Sequence, residues 1–123
     1  MRLIALADLA VAISKAGGIG FIGAGTDVAD LSTYFESALK LLQGSELKTA
    51  NSTLPVGVGF INWGANLEKA LPVIQKFKPA AIWFFAPSSV AALRDWTERY
   101  RHASPGSRIW VQVGSVKEAA VMV

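Results

Sequence analysis

The sequence of 123 residues contains no cysteine and a single histidine. The absence of cysteine excludes disulfides, thiolate nucleophiles and cysteine-based metal sites. Charged residues make up only 17%, and the basic ones are scattered, so we expect neither a disordered chain nor a nucleic-acid-binding protein. No uncharged apolar run reaches the roughly 20 residues that span a bilayer, so we expect no membrane span. We also expect no export signal, because Asp8 interrupts the first apolar run, and we therefore expect a cytoplasmic protein.

What the chain has in excess is apolar residues, at 52% of the sequence. Parallel strands have this composition, because helices cover them on both faces or close them into a barrel. Short apolar runs predict four strands, at 19–24, 55–61, 80–86 and 108–113. Apolar residues at helical spacing predict helices that begin near Asp8, at Thr26 or Asp27, before Leu67, at Ser88 or Ser89, and at Ser115.

Local signals predict the faces and ends of these helices. The first should bury Leu6, Leu9, Ala10 and Ile13 and end at Gly17 and Gly18. The second should bury Val28, Leu31, Phe35, Leu39 and Leu42 and end at Gly44. Pro72 should kink the third helix or delay its start. Ser115 and Glu118 match a capping box, so a fifth helix begins there, and the sequence stops inside it.

The alternation of strands and single helices predicts an α/β fold with parallel strands and right-handed crossovers. A (β/α)8 barrel and an open, doubly wound sheet both have this order, and the spacing between strands suits either. Residues 18–23 (GIGFIG) spell the dinucleotide-binding string G-x-G-x-x-G. That string should follow a strand and open a helix, whereas here a helix precedes it and the string itself forms the strand, so we expect no dinucleotide site.

Candidate binding residues lie where the predicted strands end. Asn62, Trp63, Gln112 and Ser115 follow or close strands, and in α/β barrels the active site lies at the carboxyl ends of the strands. Gln112 places a carboxamide in an apolar strand, where it needs a hydrogen-bonding partner if it points inward. Trp63 is placed to wall a pocket. His102 is expected at the surface, and no catalytic triad, metal cluster or phosphate-binding lysine loop is present in the sequence.

Four stretches resemble the nitronate monooxygenase (2-nitropropane dioxygenase) family, and most closely its fungal-type members. They are residues 9–23 (LAVAISKAGGIGFIG), 55–60 (PVGVGF), 81–86 (AIWFFA) and 109–119 (IWVQVGSVKEA). The resemblance implies a TIM barrel of which the chain holds about strands 2 to 5. We therefore expect residues 1–123 to form a single partial-barrel domain, truncated at both ends.

The resemblance also implies a cofactor, FMN, and residues that contact it. Met1 aligns with a flavin-contacting methionine, Gly59 with a glycine or asparagine beside the flavin, and Gln112 with a polar residue near the flavin ring. The implied activity is the oxidation of a nitronate, a small-molecule substrate, with oxygen reoxidising the flavin. The family's catalytic histidine and its glycine-rich phosphate loops have no counterpart in these residues, and His102 is in the wrong place to substitute.

Three alternatives remain open on the sequence. The chain resembles other FMN-dependent barrels, such as enoyl reductases, less specifically. A non-catalytic α/β binding domain with a doubly wound sheet, or an incomplete gene product without activity, also fits the order of elements. A half barrel leaves unpaired strand edges and exposed apolar side chains, so we expect self-association through those edges.

Overall fold

The computed structural model describes residues 3–47 and 49–122, in which strands and helices alternate along the chain. The elements are α1 (Ala7–Lys15), β1 (Phe21–Gly25), α2 (Leu31–Leu42), β2 (Leu54–Ile61), α3 (Leu67–Phe77), β3 (Pro79–Phe85), α4 (Val90–Ala103), β4 (Arg108–Val111) and α5 (Val116–Met122). The predicted order of elements is confirmed. Among the described residues, no helix has both the length and the apolar character needed to cross a bilayer.

The strands form one parallel sheet in the order β1-β2-β3-β4. Because the order follows the chain, right-handed crossovers place every connecting helix on the same face of the sheet. A doubly wound sheet instead reverses its strand order and carries helices on both faces. The doubly wound alternative is therefore wrong, and the arrangement is that of one side of a (β/α)8 barrel, as expected.

The hydrophobic core lies between the sheet and its layer of helices. Ile22, Val58 and Ile82 are in register across three strands and are fully buried. Aromatic rings fill the space between strands and helices. The distance between ring centroids is 5.8 Å for Phe60 and Tyr100 and 5.6 Å for Phe84 and Trp96. Burial of this apolar surface is the main driving force for folding.

Helix α1 buries its small side chains rather than its large ones. Ala7, Ala10, Val11 and Ser14 are buried. Leu9 and Ile13 are 42% and 41% exposed, so their predicted burial is wrong. The reason is the close approach of the chain before β1, because a Cβ on Gly20 would lie 1.9 Å from the carbonyl oxygen of Ala10. That contact also explains why position 20 of the G-x-G-x-x-G string is a glycine. The string leads into β1 and opens no helix, as predicted.

Helix α2 begins later than predicted. It starts at Leu31, and the carboxylate of Asp27 accepts a hydrogen bond from the Ala29 amide at 3.0 Å in the preceding turn. A short polar side chain favours such a turn over a helix start. Leu39 is 45% exposed, so its predicted burial is wrong, whereas the predicted end is confirmed by Gly44 with a φ of 75°.

The later elements differ from the prediction at their ends. Helix α3 begins at Leu67, where Asn66 accepts a hydrogen bond from the Lys69 amide at 3.0 Å, so Pro72 does not delay its start. Strand β4 ends at Val111, two residues earlier than predicted. Helix α5 has the predicted cap, in which Ser115 Oγ accepts from the Glu118 amide at 3.1 Å.

Candidate functional site

The sheet face turned away from the helices carries three rows of residues. The first row contains Phe21, Gly57, Ala81 and Arg108, and the second contains Gly23, Gly59, Trp83 and Trp110. Side chains two residues further along each strand point to the same face, which adds Ile61 and Phe85 as a third row. In a (β/α)8 barrel this face lines the interior, and its last row lies beside the active-site loops.

A pocket of about 360 Å³ opens at the carboxyl ends of the strands. It is lined by Gly25, Gly59, Phe60, Ile61, Trp83, Phe85 and Gln112. Gly59 and Gln112, two of the three expected flavin contacts, therefore meet in one site although 53 positions separate their numbers in the sequence. Met1, the third, lies outside the described residues.

The pocket has a side-chain-free wall. Gly25 and Gly59 contribute only backbone, and Gly25 has a φ of 63°, which favours glycine. Its position follows a register shift between Gly23 and Gly25, where one residue of β1 has no partner in β2. Bulges of this kind redirect the chain at the end of a strand, here at the edge of the pocket.

Gln112 reaches the pocket from just beyond β4. Its amide donates to the carbonyl of Phe84 at 2.9 Å, which continues the ladder, while its side chain is exposed. The prediction that it sits inside a strand is wrong, because β4 ends one residue before it. An exposed carboxamide needs no protein partner, and it keeps donor and acceptor groups free for a ligand.

Two curated proteins resemble the chain over nearly its whole length. A nitronate monooxygenase from Metarhizium robertsii, npaC, is 43% identical over 122 residues. A nitronate monooxygenase from Neurospora crassa is 30% identical over 140 aligned positions. This chain is related to the nitronate monooxygenases. Each alignment covers 97% of the chain but 34% and 36% of the relative, so the chain spans about a third of the length of these proteins.

The resemblance to nitronate monooxygenases recognised in the sequence is thus confirmed. No protein-family model and no solved structure matches the chain. The relatives' name describes enzymes about three times as long, and the region they share with this chain includes every residue that lines the pocket.

The two residues that follow β2, Asn62 and Trp63, do not line the pocket. Asn62 is 8% exposed, its amide donates to the Phe85 carbonyl at 2.8 Å, and its Oδ1 accepts from the Phe85 amide at 3.0 Å. Its Nδ2 is buried without a partner among the described residues. Trp63 is 68% exposed and does not line the pocket, so the expectation that it walls one is wrong.

Two other residues singled out in the sequence have structural positions away from the pocket. Ser115 caps α5 through its hydroxyl. His102 is exposed in the last turn of α4, as expected. The described part of the chain contains no group of three residues suited to hold a metal ion.

None of the described residues that line the pocket has a titratable side chain. The ionisable groups with shifted pKa values lie elsewhere, on the helical layer. Arg99 contacts the Glu68 carboxylate with two hydrogen bonds of 2.6 and 2.9 Å, which lower the pKa of Glu68. Burial raises the pKa of Tyr100. The pocket is therefore suited to bind a flat, mostly apolar group with a polar edge, and its own lining offers no proton donor or acceptor of the acid–base kind.

Four lining residues were not singled out in the sequence: Phe60, Ile61, Trp83 and Phe85. Among the tryptophans, the sequence reasoning expected Trp63 to wall a pocket and not Trp83. Alternation along β3 was the signal for it, since Ile82 and Phe84 are buried toward the helices and Trp83 must face the other way.

Proposed function

We propose that this chain contributes a flavin-binding part of an FMN-dependent oxidoreductase that oxidises alkyl nitronates with oxygen. The observation that carries the proposal is the meeting of Gly59 and Gln112 in one pocket at the carboxyl ends of the strands. The relatives named nitronate monooxygenase favour this activity over that of an enoyl reductase. We propose further that residues 1–123 form one partial-barrel domain.

The pocket has the shape and chemistry that a flavin ring needs. Ligand sites commonly enclose about 300–1,000 Å³ and combine apolar walls with a few polar groups, and this one encloses about 360 Å³. The backbone at Gly25 and Gly59 lets a flat ring lie against the main chain. The carboxamide of Gln112 is able both to donate and to accept at the polar edge of such a ring.

Bound FMN would supply the redox chemistry, taking electrons from the substrate and passing them to oxygen. The residues of this chain bind and orient. Gly59 admits the ring, Gln112 holds its polar edge, and Ile61 and Phe85 exclude water from the apolar side. Any proton transfer depends on a group other than the seven lining residues, because none of them titrates.

The described residues of the lining include no lysine or arginine, so they give the FMN phosphate no charged partner. We therefore expect this chain to bind the flavin ring with little preference for the phosphate. FMN, riboflavin and lumiflavin should have dissociation constants within about fivefold of one another, since the phosphate would remain in solvent.

The first test mixes the purified chain with excess FMN, removes free flavin by desalting, and measures retained flavin by visible absorption. We expect retained flavin in the wild type and a loss of at least about tenfold in affinity for Gly59→Val, whose branched side chain fills the side-chain-free wall. Gly114→Ala is the matched control, because a Cβ there lies 3.5 Å from its nearest neighbour and outside the pocket. Absence of flavin from the wild type, or equal retention by Gly59→Val, contradicts the proposal.

The substrate is tested separately with the flavin-loaded chain. Ethyl nitronate added without oxygen should bleach the flavin absorption near 450 nm, and admission of air should restore it. The enoyl reductase alternative would be favoured by a different result. In that case nitronate would leave the bound flavin unchanged, whereas a nicotinamide donor would reduce it and an enoyl thioester would reoxidise it.

We also propose self-association through the edge of β4. Within the described residues β4 pairs only with β3, and Trp110 beside that edge is 42% exposed. The opposite edge is partly covered, since the Gly23 amide donates to the Ala5 carbonyl at 2.8 Å. An unpaired edge with exposed apolar side chains favours pairing with a second copy. Sedimentation velocity across a concentration series tests this, and a monomer that melts cooperatively at every concentration contradicts it.

A further inference from the structure

The second row of the sheet face turned away from the helices contains two glycines next to a tryptophan. Gly23 and Gly59 lie side by side without side chains, and Trp83 follows on the next strand in register with Gly59. Residues paired across parallel strands point to the same face, so the Trp83 indole stands directly beside the side-chain-free surface. The two together form a corner with a peptide floor and an aromatic wall, which we call the slot.

Neighbouring rings hold the Trp83 indole in place. Phe21 meets it edge to face at 5.3 Å between ring centroids, and Trp110 lies 6.4 Å from Trp83 and 5.2 Å from Phe21. Phe21 itself occupies the space over Gly57, where an added Cβ would come within 2.5 Å of two ring carbons. Ring pairs at these distances and angles are attractive, so the three aromatics form a supported layer below the pocket.

The layer leaves Trp83 partly open to the pocket. Trp83 is half-buried and lines the cavity, whereas Phe21 and Trp110 do not line it. A ligand that enters from the carboxyl ends therefore meets the indole before any other aromatic ring of the layer. Indole faces are the strongest stacking partners among side chains for flat aromatic rings.

We infer that Trp83 is the specificity-determining wall of this pocket, and that the slot between Trp83 and Gly59 selects a flat heteroaromatic ring. This inference rests on the proposed flavin site and adds the residue that recognises the ring. Trp83 also sets the depth of the pocket, because the layer behind it is filled by Phe21 and Trp110. We therefore expect the ring moiety alone, without a sugar chain or phosphate, to bind here.

The test measures binding of lumiflavin, the bare ring system, and of FMN by equilibrium dialysis, together with the fluorescence of the bound flavin. Stacked tryptophan quenches flavin emission by electron donation, which phenylalanine does not do. Trp83→Leu should weaken lumiflavin binding at least about tenfold. Trp83→Phe should bind within about threefold of the wild type while the bound flavin regains emission. Far-UV circular dichroism confirms that each variant is folded.

Trp63→Leu is the matched control. It removes an exposed indole that does not line the pocket, so affinity should stay within about threefold and quenching should persist. Wild-type affinity and quenching in Trp83→Leu would overturn this inference and leave the flavin site standing. Tight lumiflavin binding that depends on Trp83, with no binding of FMN, would support the slot and overturn FMN as its cofactor. Failure of the wild type to bind either ligand overturns both.

Discussion

The contact between α1 and the chain entering β1 gives the sharpest stability prediction. In Gly20→Ala the new Cβ would lie 1.9 Å from the Ala10 carbonyl oxygen and 2.5 Å from its carbon, so backbone must move by roughly 1 Å. Such overpacking costs about 1–3 kcal/mol. The shift also strains the buried hydrogen bond from the Gly20 amide to Ser14 Oγ, now 3.0 Å, which is worth about 1 kcal/mol. We expect the free energy of unfolding to fall by about 2–4 kcal/mol.

Urea unfolding followed by circular dichroism measures this loss. For a chain of this size it corresponds to a fall in Tm of about 8–16 °C. Ser14→Ala removes only the hydroxyl and should lose about 1 kcal/mol, which keeps the reasoning testable if Gly20→Ala does not fold. Gly114→Ala is the control and should change stability by less than about 0.5 kcal/mol. A Gly20→Ala protein as stable as the control would refute the close approach.

Three further predictions concern substitutions of residues that do not line the pocket. Asn62→Ala should lower the free energy of unfolding by about 1–3 kcal/mol, because the Phe85 amide loses its acceptor. Trp63→Ala, at the exposed neighbouring position, should lower it less. Equal losses of unfolding free energy for the two variants, measured in urea, would contradict this. Tyr100→Phe removes a buried hydroxyl that has no partner in the described structure, so calorimetry should show unchanged stability or a gain of about 1 kcal/mol, not a loss. Arg99 lowers the pKa of Glu68, so the stabilisation by this pair is present above pH 4.5 and is lost as the pH falls through the folded-state pKa of Glu68. Glu68→Gln should therefore reduce the fall of Tm at acid pH. An unchanged fall of Tm would argue against the pair.

Much of the fold could be predicted because the strands are strongly apolar and the helices periodic. The run at 80–86 and the Ser89 cap of α4 are local features, and the structure has both close to the predicted positions, with Ser89 Oγ accepting from Ala92 at 3.0 Å. The buried face of α1 could not be predicted from periodicity. Its large residues Leu9 and Ile13 give the stronger hydrophobic signal, but the close approach at Gly20 admits only small side chains.

The candidate site could be predicted only in part, since its residues come together through strand register. Gly59 and Gln112 were identified by resemblance, and the structure brings both to one pocket. Whether the other candidates reach that pocket depends on the paths of single residues beyond the strand ends. Asn62 turns into hydrogen bonds with Phe85, and Trp63 then projects into solvent. No pattern in the sequence distinguishes these two directions.

The position of the pocket follows from the glycines on the sheet face turned away from the helices. In the first row Gly57 is filled, because the Phe21 ring occupies the space above it. In the second row Gly59 lines the pocket, and the bulky side chains are confined to β3 and β4. The side-chain bulk of the second row is thus concentrated on one side of the sheet. The free volume that remains lies beside β1 and β2, where Gly25 and Gly59 line the pocket. Replacing the glycine of either row would therefore have a different effect. A side chain at position 57 disturbs packing, whereas one at position 59 removes ligand space.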